Sequence, residues 1–267
     1  MLWPRLSTCT TPGRLTKFKG VGNLSKVIVL ASGGLDSSLV MAKLLKEGHY
    51  VVPLFTDYGQ YSVEGERKAV RDVVQWLKSC TGVSGHSPGS YEGGSITIYP
   101  GTLEDVVEVK VDIGQRVAAC PGRVLAFVGA AAIWSYTEDW DEGSVAIGIH
   151  AGDKDQDSCR VGYEDSLNET LKSLTQSCLQ IITPLMGMSR KDMAKEISEM
   201  GIPWEIMYNC YWSVACGSQS ENMRYRCPGC RRKQESMELA GRPESEWSVP
   251  NKSFGSRDVA RRDWKYA

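Results

Sequence analysis

Apolar positions along this chain alternate between two periods. Residues 26–31 (Lys-Val-Ile-Val-Leu-Ala) read as one continuous apolar run, as a central parallel strand requires. Residues 38–47 then place Val40, Leu44 and Leu45 on one helical face, and Gly48 stops the helix. Residues 50–55 read as a second strand and 63–80 as a second helix. This strand–helix–strand–helix rhythm predicts a parallel sheet with right-handed crossovers. Farther on, a Gly- and Ser-rich loop covers 81–94 and a short strand 95–98. A strongly apolar helix, buried on most sides, is expected over 121–136. A strand follows at 144–149, a polar loop at 153–157, an amphipathic helix at 164–178 and a short strand at 180–183. A helix over 189–200 has Ser189 as its N-cap, and a short helix starts at Arg231.

Residues 1–25 carry Arg5, Arg14, Lys17 and Lys19 and no acid; they read as a basic arm or, equally, as an extra strand or cap. From Gly241 onward Pro, Ser and Trp mix with charge in a tail. The resulting division is an arm (1–25), an α/β domain (26–188), a helical region with clustered cysteines (189–240) and a tail (241–267).

Composition changes this picture in four ways. With 42% hydrophobic and 24% charged residues over a length of 267, the chain has material for one well-buried α/β domain. The formal net charge of -1 offers no basic field for gripping nucleic acid. No apolar run approaches the roughly 18–20 residues of a membrane span, and residues 1–20 lack the apolar core of a signal peptide, so a cytoplasmic protein is expected. Nine cysteines cannot all pair, and four crowd together as Cys210-x5-Cys216-x10-Cys227-x2-Cys230. A closed tetrahedral Zn²⁺ site explains that cluster better than disulfides do; with four cysteines and no nearby histidine it is structural rather than catalytic.

The sharpest chemical signal is Ser32-Gly33-Gly34-Leu35-Asp36-Ser37-Ser38, placed directly between the first strand and the first helix. Two glycines let the backbone turn sharply and bring its amides against a phosphate. Ser32, Ser37 and Ser38 add hydroxyls, and the following helix aims its unpaired amides and positive dipole end at the same point. The string is neither a Walker A loop nor G-x-G-x-x-G. It resembles the signature of the PP-loop ATP pyrophosphatases, with their Rossmann-like adenine-nucleotide-hydrolase fold. That resemblance implies ATP and Mg²⁺, with Asp36 supporting the loop or the metal and Ser37 and Ser38 binding phosphate.

Further segments narrow the resemblance. Asp57-Tyr58-Gly59-Gln60 follows the second strand, Pro121-Gly122-Arg123 opens the apolar helix, Thr183-Pro184-Leu185-Met186 precedes a Ser-Arg-Lys helix start, and the cysteines come last. In this order, over residues 26–240, the chain resembles the QueC family of 7-cyano-7-deazaguanine (preQ0) synthases. The resemblance implies a ligase that adenylates 7-carboxy-7-deazaguanine, adds ammonia, adenylates the amide and ends at the nitrile, with Mg²⁺ and a structural Zn²⁺. It implies small-molecule partners, no nucleic acid and no membrane, in an assembly compatible with a homodimer. Asp57, at a strand's carboxyl end, and Gln60 are expected near the ATP. Arg123 is expected at a phosphate or the substrate carboxylate, with Tyr58, Asp153 and Arg160 around the acid. Arg190 or Lys191, in a first helical turn, is expected at a phosphate or as a solvated charge.

The chain also departs from the family. Tyr61-Ser62 stand where Arg-His is common, and Val124 where Asn is common. Gly148, Asp153, Cys159 and Arg160 fit the family's G-x-x-x-x-D-F-S-G-Y-P-D-C-R, but the S-G-Y-P stretch is missing. Ten residues separate Cys216 from Cys227, where the family has C-G-x-C. These departures keep open the same activation ending at the amide or at a conjugate with another amine. Two other readings are weaker: a tRNA-modifying enzyme using the basic arm and Arg224 and Arg226, and a nucleotide-sensing protein.

Overall fold

Along β1 (Lys26–Leu30) Val27 and Val29 enter one core and Ile28 the other, so the strand is buried on both faces. Its apolar run demands this, because a strand with helices on both sides leaves its central positions no side open to solvent. The computed structural model describes residues 25–81, 99–112, 122–140, 142–150, 162–175, 179–211 and 227–242. In it β1 lies between β2 (Tyr50–Asp57) and β5 (Gly143–Ala146), parallel to both. β6 (Leu179–Ile182) continues beyond β5, while β3 (Thr102–Leu103) and β4 (Val107–Lys110) lie along the outer edge of β2. The order is β3-β2-β1-β5-β6 with β4 also on β2, and every strand pair among the described residues is parallel.

Helices cover both faces. On the Val27 side, α1 (Leu35–Lys46), α2 (Val63–Cys80) and α5 (Arg190–Glu199) bring Leu39, Val73 and Ile197 into the core. On the Ile28 side, α3 (Arg123–Thr137) and α4 (Tyr163–Thr175) bring Val128, Ala131 and Leu167. Each such Val, Leu or Ile side chain contributes about 1.5–3 kcal/mol when fully buried. After a 3-10 turn at Trp204–Ile206, α6 (Pro228–Leu239) adds Met237 to the first core. α5 and α6 thus share a core with β1 and α1.

The parallel sheet flanked by helices is as expected, and so are the residues of α2 and the Ser189 cap, whose Oγ accepts from the Asp192 N–H at 3.2 Å. Other expectations are corrected. α1 begins at Leu35, so the second half of the serine-rich string is already helical. α3 is not buried on most sides: Leu125, Ile133 and Tyr136 are 51%, 69% and 59% exposed. An apolar helix lying on one sheet face has only one side to bury, and these residues point away from it. α6 starts within the Cys-Pro-Gly-Cys knuckle at Pro228, whose fixed φ suits a first helical position. β3 and β4 were not anticipated; β4 alternates half-buried Val107 and Val109 with exposed Glu108 and Lys110, too briefly to stand out. Nearly all of the arm, the strand expected at 95–98, the loop at 153–157 and nearly all of the tail lie outside the described residues. No helix among the described residues is long and apolar enough to cross a membrane.

Candidate active site

From β1 the chain moves outward through β2 and later returns to the other flank of β1 as β5. The connections leaving β1 and β5 diverge there, which opens a crevice beyond the carboxyl ends of the strands. Ser32, Gly34, Asp36 and Ser37 line that cavity from one side, and Gly148 and His150 from the other. Gly33 has φ +70°, and a β-carbon on it would lie 2.5 Å from the Val70 nitrogen, so the loop rests against α2 where only glycine fits. Gly34 is the extended N-cap of α1, and the helix's first amides face the crevice. The Gly34 N–H donates to Ser32 Oγ at 3.4 Å and the Ser32 N–H to Ser37 Oγ at 3.3 Å, which ties the loop to the first turn. A β-carbon on Gly148 would come within 3.0 Å of Asp36 Cβ, so the end of β5 presses closely on that turn.

Other parts of the cavity lining are aromatic and charged. The Tyr58 and Phe127 rings stand 5.2 Å apart, tilted by 47°, with Arg123 and Glu66 beside them. Glu66 accepts from Ser62 Oγ at 2.6 Å and from Gln60 Nε2 at 2.9 Å. Burial pushes its carboxyl above the usual range, against the pull of those two donors and of Arg123.

The third wall comes from the C-terminal part of the chain. The Tyr208 N–H donates to Gly33 O at 2.8 Å, and its ring lies so close to α2 that a β-carbon on Gly65 would be 2.3 Å from Cζ. Lys233 Nζ donates to Met207 O at 2.7 Å, and burial lowers the Lys233 pKa to about 8 despite Cys230 and Glu205. Just beyond, Cys210, Cys227 and Cys230 bring their sulfurs within 4.8 Å of one another. Two sulfurs on a tetrahedral zinc, each about 2.3 Å from it, stand about 3.8 Å apart. Cys210 and Cys227 Sγ are 3.9 Å apart, and Cys227 Sγ also accepts from the Tyr211 and Cys230 N–H groups at 3.4 Å each. The donor set therefore fits a soft, tetrahedral cation; Cys216, the fourth expected ligand, lies outside the described residues.

The profile of the family described as "Queuosine biosynthesis protein QueC" matches residues 26–241. The chain belongs to the QueC family. A 7-cyano-7-deazaguanine synthase of Methanothermobacter thermautotrophicus is 29% identical over 235 residues, covering 81% of this chain and 96% of that protein. Another, from Sulfurihydrogenibium sp., is 28% identical over 222 residues, covering 79% and 93%. A solved structure described as a predicted subunit of tRNA methyltransferase from Methanocaldococcus jannaschii covers 85% of this chain and 93% of its own, at 18% identity and a TM-score of 0.40. That match is too loose to add to the argument.

Of the residues that the QueC resemblance pointed to, the cavity gathers Ser32, Gly34, Leu35, Asp36, Ser37, Tyr58, Arg123 and Arg190. Gly33 and Ser38 support the loop from behind, Ser38 Oγ donating to Gly34 O at 2.7 Å. Asp57 and Gln60 do not line the cavity. Asp57 pairs with Arg67 at 2.9 Å and accepts from the Gly59 N–H at 3.0 Å. Gln60 is fully buried, its amide taken up by Thr56 O, Glu66 and the Tyr58 N–H. Both build the turn that presents Tyr58. Arg190 pairs with Glu235 at 3.1 Å on the cavity's rim. Asp153 and Arg160 lie outside the described residues. Sequence reasoning missed Glu66, Asn209 and Arg232, which also line this QueC cavity; their only trace was the glycines, Gly65 and Gly229, that let the backbone segments around them close in.

Proposed function

We propose that this QueC-family chain is an ATP-dependent carbon–nitrogen ligase that converts 7-carboxy-7-deazaguanine and ammonia to 7-cyano-7-deazaguanine. One observation carries the reading: a single cavity at the switch point is lined both by the glycine-serine turn at the start of α1 and by the Tyr58–Phe127 ring pair with Arg123. The names of the relatives support the same product.

Ser32, Gly34, Ser37 and the first amides of α1 take up the β- and γ-phosphates as the leaving pyrophosphate. Asp36 would hold Mg²⁺, which neutralises phosphate charge when bound. Tyr58 and Phe127 form the wall for the planar base, and Arg123 grips both oxygens of its carboxylate. Arg190 serves the polyphosphate from the rim, and Asp153 and Arg160 complete the acid's surroundings. A carboxylate oxygen attacks the α-phosphorus of ATP, the bond to pyrophosphate breaks, and an acyl adenylate results. The ammonia lone pair forms a C–N bond as the C–O bond to AMP breaks, and one proton is released with the amide. The amide oxygen attacks a second ATP in the same way. Departure of that oxygen with AMP, and of both N–H protons, leaves the nitrile. Cys210, Cys216, Cys227 and Cys230 would hold Zn²⁺, which fixes the fold beside the site.

Mass spectrometry of a reaction with ATP, Mg²⁺, ammonium and the 7-carboxy acid tests this. The expected products are the nitrile, AMP and pyrophosphate. Product that stops at the amide would support the second reading, favoured by the missing S-G-Y-P stretch; ADP and phosphate in place of AMP and pyrophosphate would remove the nucleotide chemistry altogether.

A further inference from the structure

Asn209 occupies an unusual position. Its Oδ1 is buried and has no hydrogen-bond partner. Its Nδ2 lies 3.7 Å from where a β-carbon on Gly34 would be, and the residue lines the cavity. Buried acceptors without partners are rare and unfavourable, so one that persists has been imposed by its surroundings. Here the surroundings are explicit. On one side the preceding Tyr208 N–H is bonded to Gly33 O at 2.8 Å. On the other, the Asn209 carbonyl sits against α6, where a β-carbon on Gly229 would be only 1.8 Å from its oxygen. The next residue, Cys210, is a member of the sulfur cluster. The backbone is therefore fixed between the phosphate loop and the cysteine knuckle, and the amide is held with its donor end over the loop while its acceptor end goes unsatisfied.

We propose that Asn209 is a further polyphosphate-binding residue of this cavity, its Nδ2–H donating to a phosphate oxygen above Gly34. The proposal rests on the nucleotide reading given above. It adds to the loop a side-chain donor that comes from the far end of the chain, beside the cysteine site. Backbone amides of α1 approach the phosphates from below, and Asn209 approaches from the opposite wall. The unsatisfied Oδ1 is what keeping that donor in place costs, in the way binding sites hold groups that packing alone would not favour.

The test compares wild type with Asn209→Ala by titration calorimetry with ATP, inorganic pyrophosphate and AMP, all with Mg²⁺, alongside thermal unfolding and zinc content. Losing a hydrogen bond to a charged group should weaken ATP and pyrophosphate about tenfold. AMP, which has no β- or γ-phosphate, should bind as before. Because the variant also removes the unsatisfied acceptor, its Tm should be equal to or above that of wild type, with zinc retained. Asn209→Asp keeps the shape but turns a carboxylate toward the phosphates, and should weaken both polyphosphates further. Unchanged polyphosphate affinity in Asn209→Ala, or an equal loss for AMP, or a lower Tm, overturns the proposal and makes the amide purely structural. A wild-type protein that binds neither ATP nor pyrophosphate overturns the nucleotide reading and this proposal together, so the two failures are distinguishable.

Discussion

His150 Nε2 lies 4.0 Å from Asp36 Oδ1, across the crevice between the end of β5 and the first turn of α1. The imidazole is buried, whereas the Asp36 carboxylate is partly exposed and lines the cavity. Asp36→Asn keeps the shape and removes the charge. It should lower formation of AMP and pyrophosphate about a hundredfold or more while leaving the circular dichroism spectrum unchanged. A variant with near-normal pyrophosphate release would take Asp36 out of the phosphate chemistry.

Arg123 stands at the first position of α3 and lines the cavity together with Tyr58 and Phe127. A lysine there keeps the charge but loses the two-pronged grip. Arg123→Lys should raise KM for the 7-carboxy acid or lower kcat by about tenfold, with KM for ATP little changed. Steady-state kinetics with each substrate varied in turn decides it, and an equal loss for ATP would move Arg123 to the phosphates.

Glu66 gives a pH signature. Burial raises its carboxyl pKa from the ordinary 4.5, so between that value and the raised one the folded protein holds more protons than the unfolded chain. Stability then falls as pH rises through the window, the cost being complete above the folded pKa and absent below the unfolded one. Glu66→Gln removes this titration. The stability of the variant relative to wild type should therefore increase with pH from 4.5 upward, read from urea midpoints at several pH values. A difference that stays flat would mean that the carboxylate is well solvated.

Cys227 is buried, and its sulfur receives two backbone N–H groups as well as standing next to Cys210. Purified protein should carry one zinc per chain by elemental analysis. Chelation, or Cys227→Ser, should lower Tm by about 5 °C or more, because the metal's binding energy is folding energy. Protein without zinc and with an unchanged Tm would leave the cluster as free thiols.

The parts of the fold and site written in contiguous residues were legible in the sequence. Ser32 to Ser38 lies between an apolar run and a helical pattern, and the geometry of a strand-to-helix turn follows from those neighbours alone. The direction in which Asp57 turns does not, since Arg67, ten residues along and on α2, takes its carboxylate. Ser38 does not line the cavity, because α1 starts early and its hydroxyl donates to Gly34 O inside the helix. Glu66, Asn209 and Arg232 depend on which helix packs against which, and no local pattern encodes that. The exposed side of α3 was misread for a related reason: an apolar sequence says that a helix can be buried, but not how many of its sides the fold will cover.

The strap formed by Tyr208 and Asn209 also bears on how the protein is made. The glycine-serine loop and both of its flanking elements are translated well before the residues that lie over the loop and the cysteines beside them. At roughly 5–20 residues per second the interval is on the order of ten seconds or more. During that interval the nascent chain carries the cradle without its cover. A chain interrupted just after β6 would have all six strands of the described sheet but neither the Tyr208 contact on Gly33 nor the cysteine cluster.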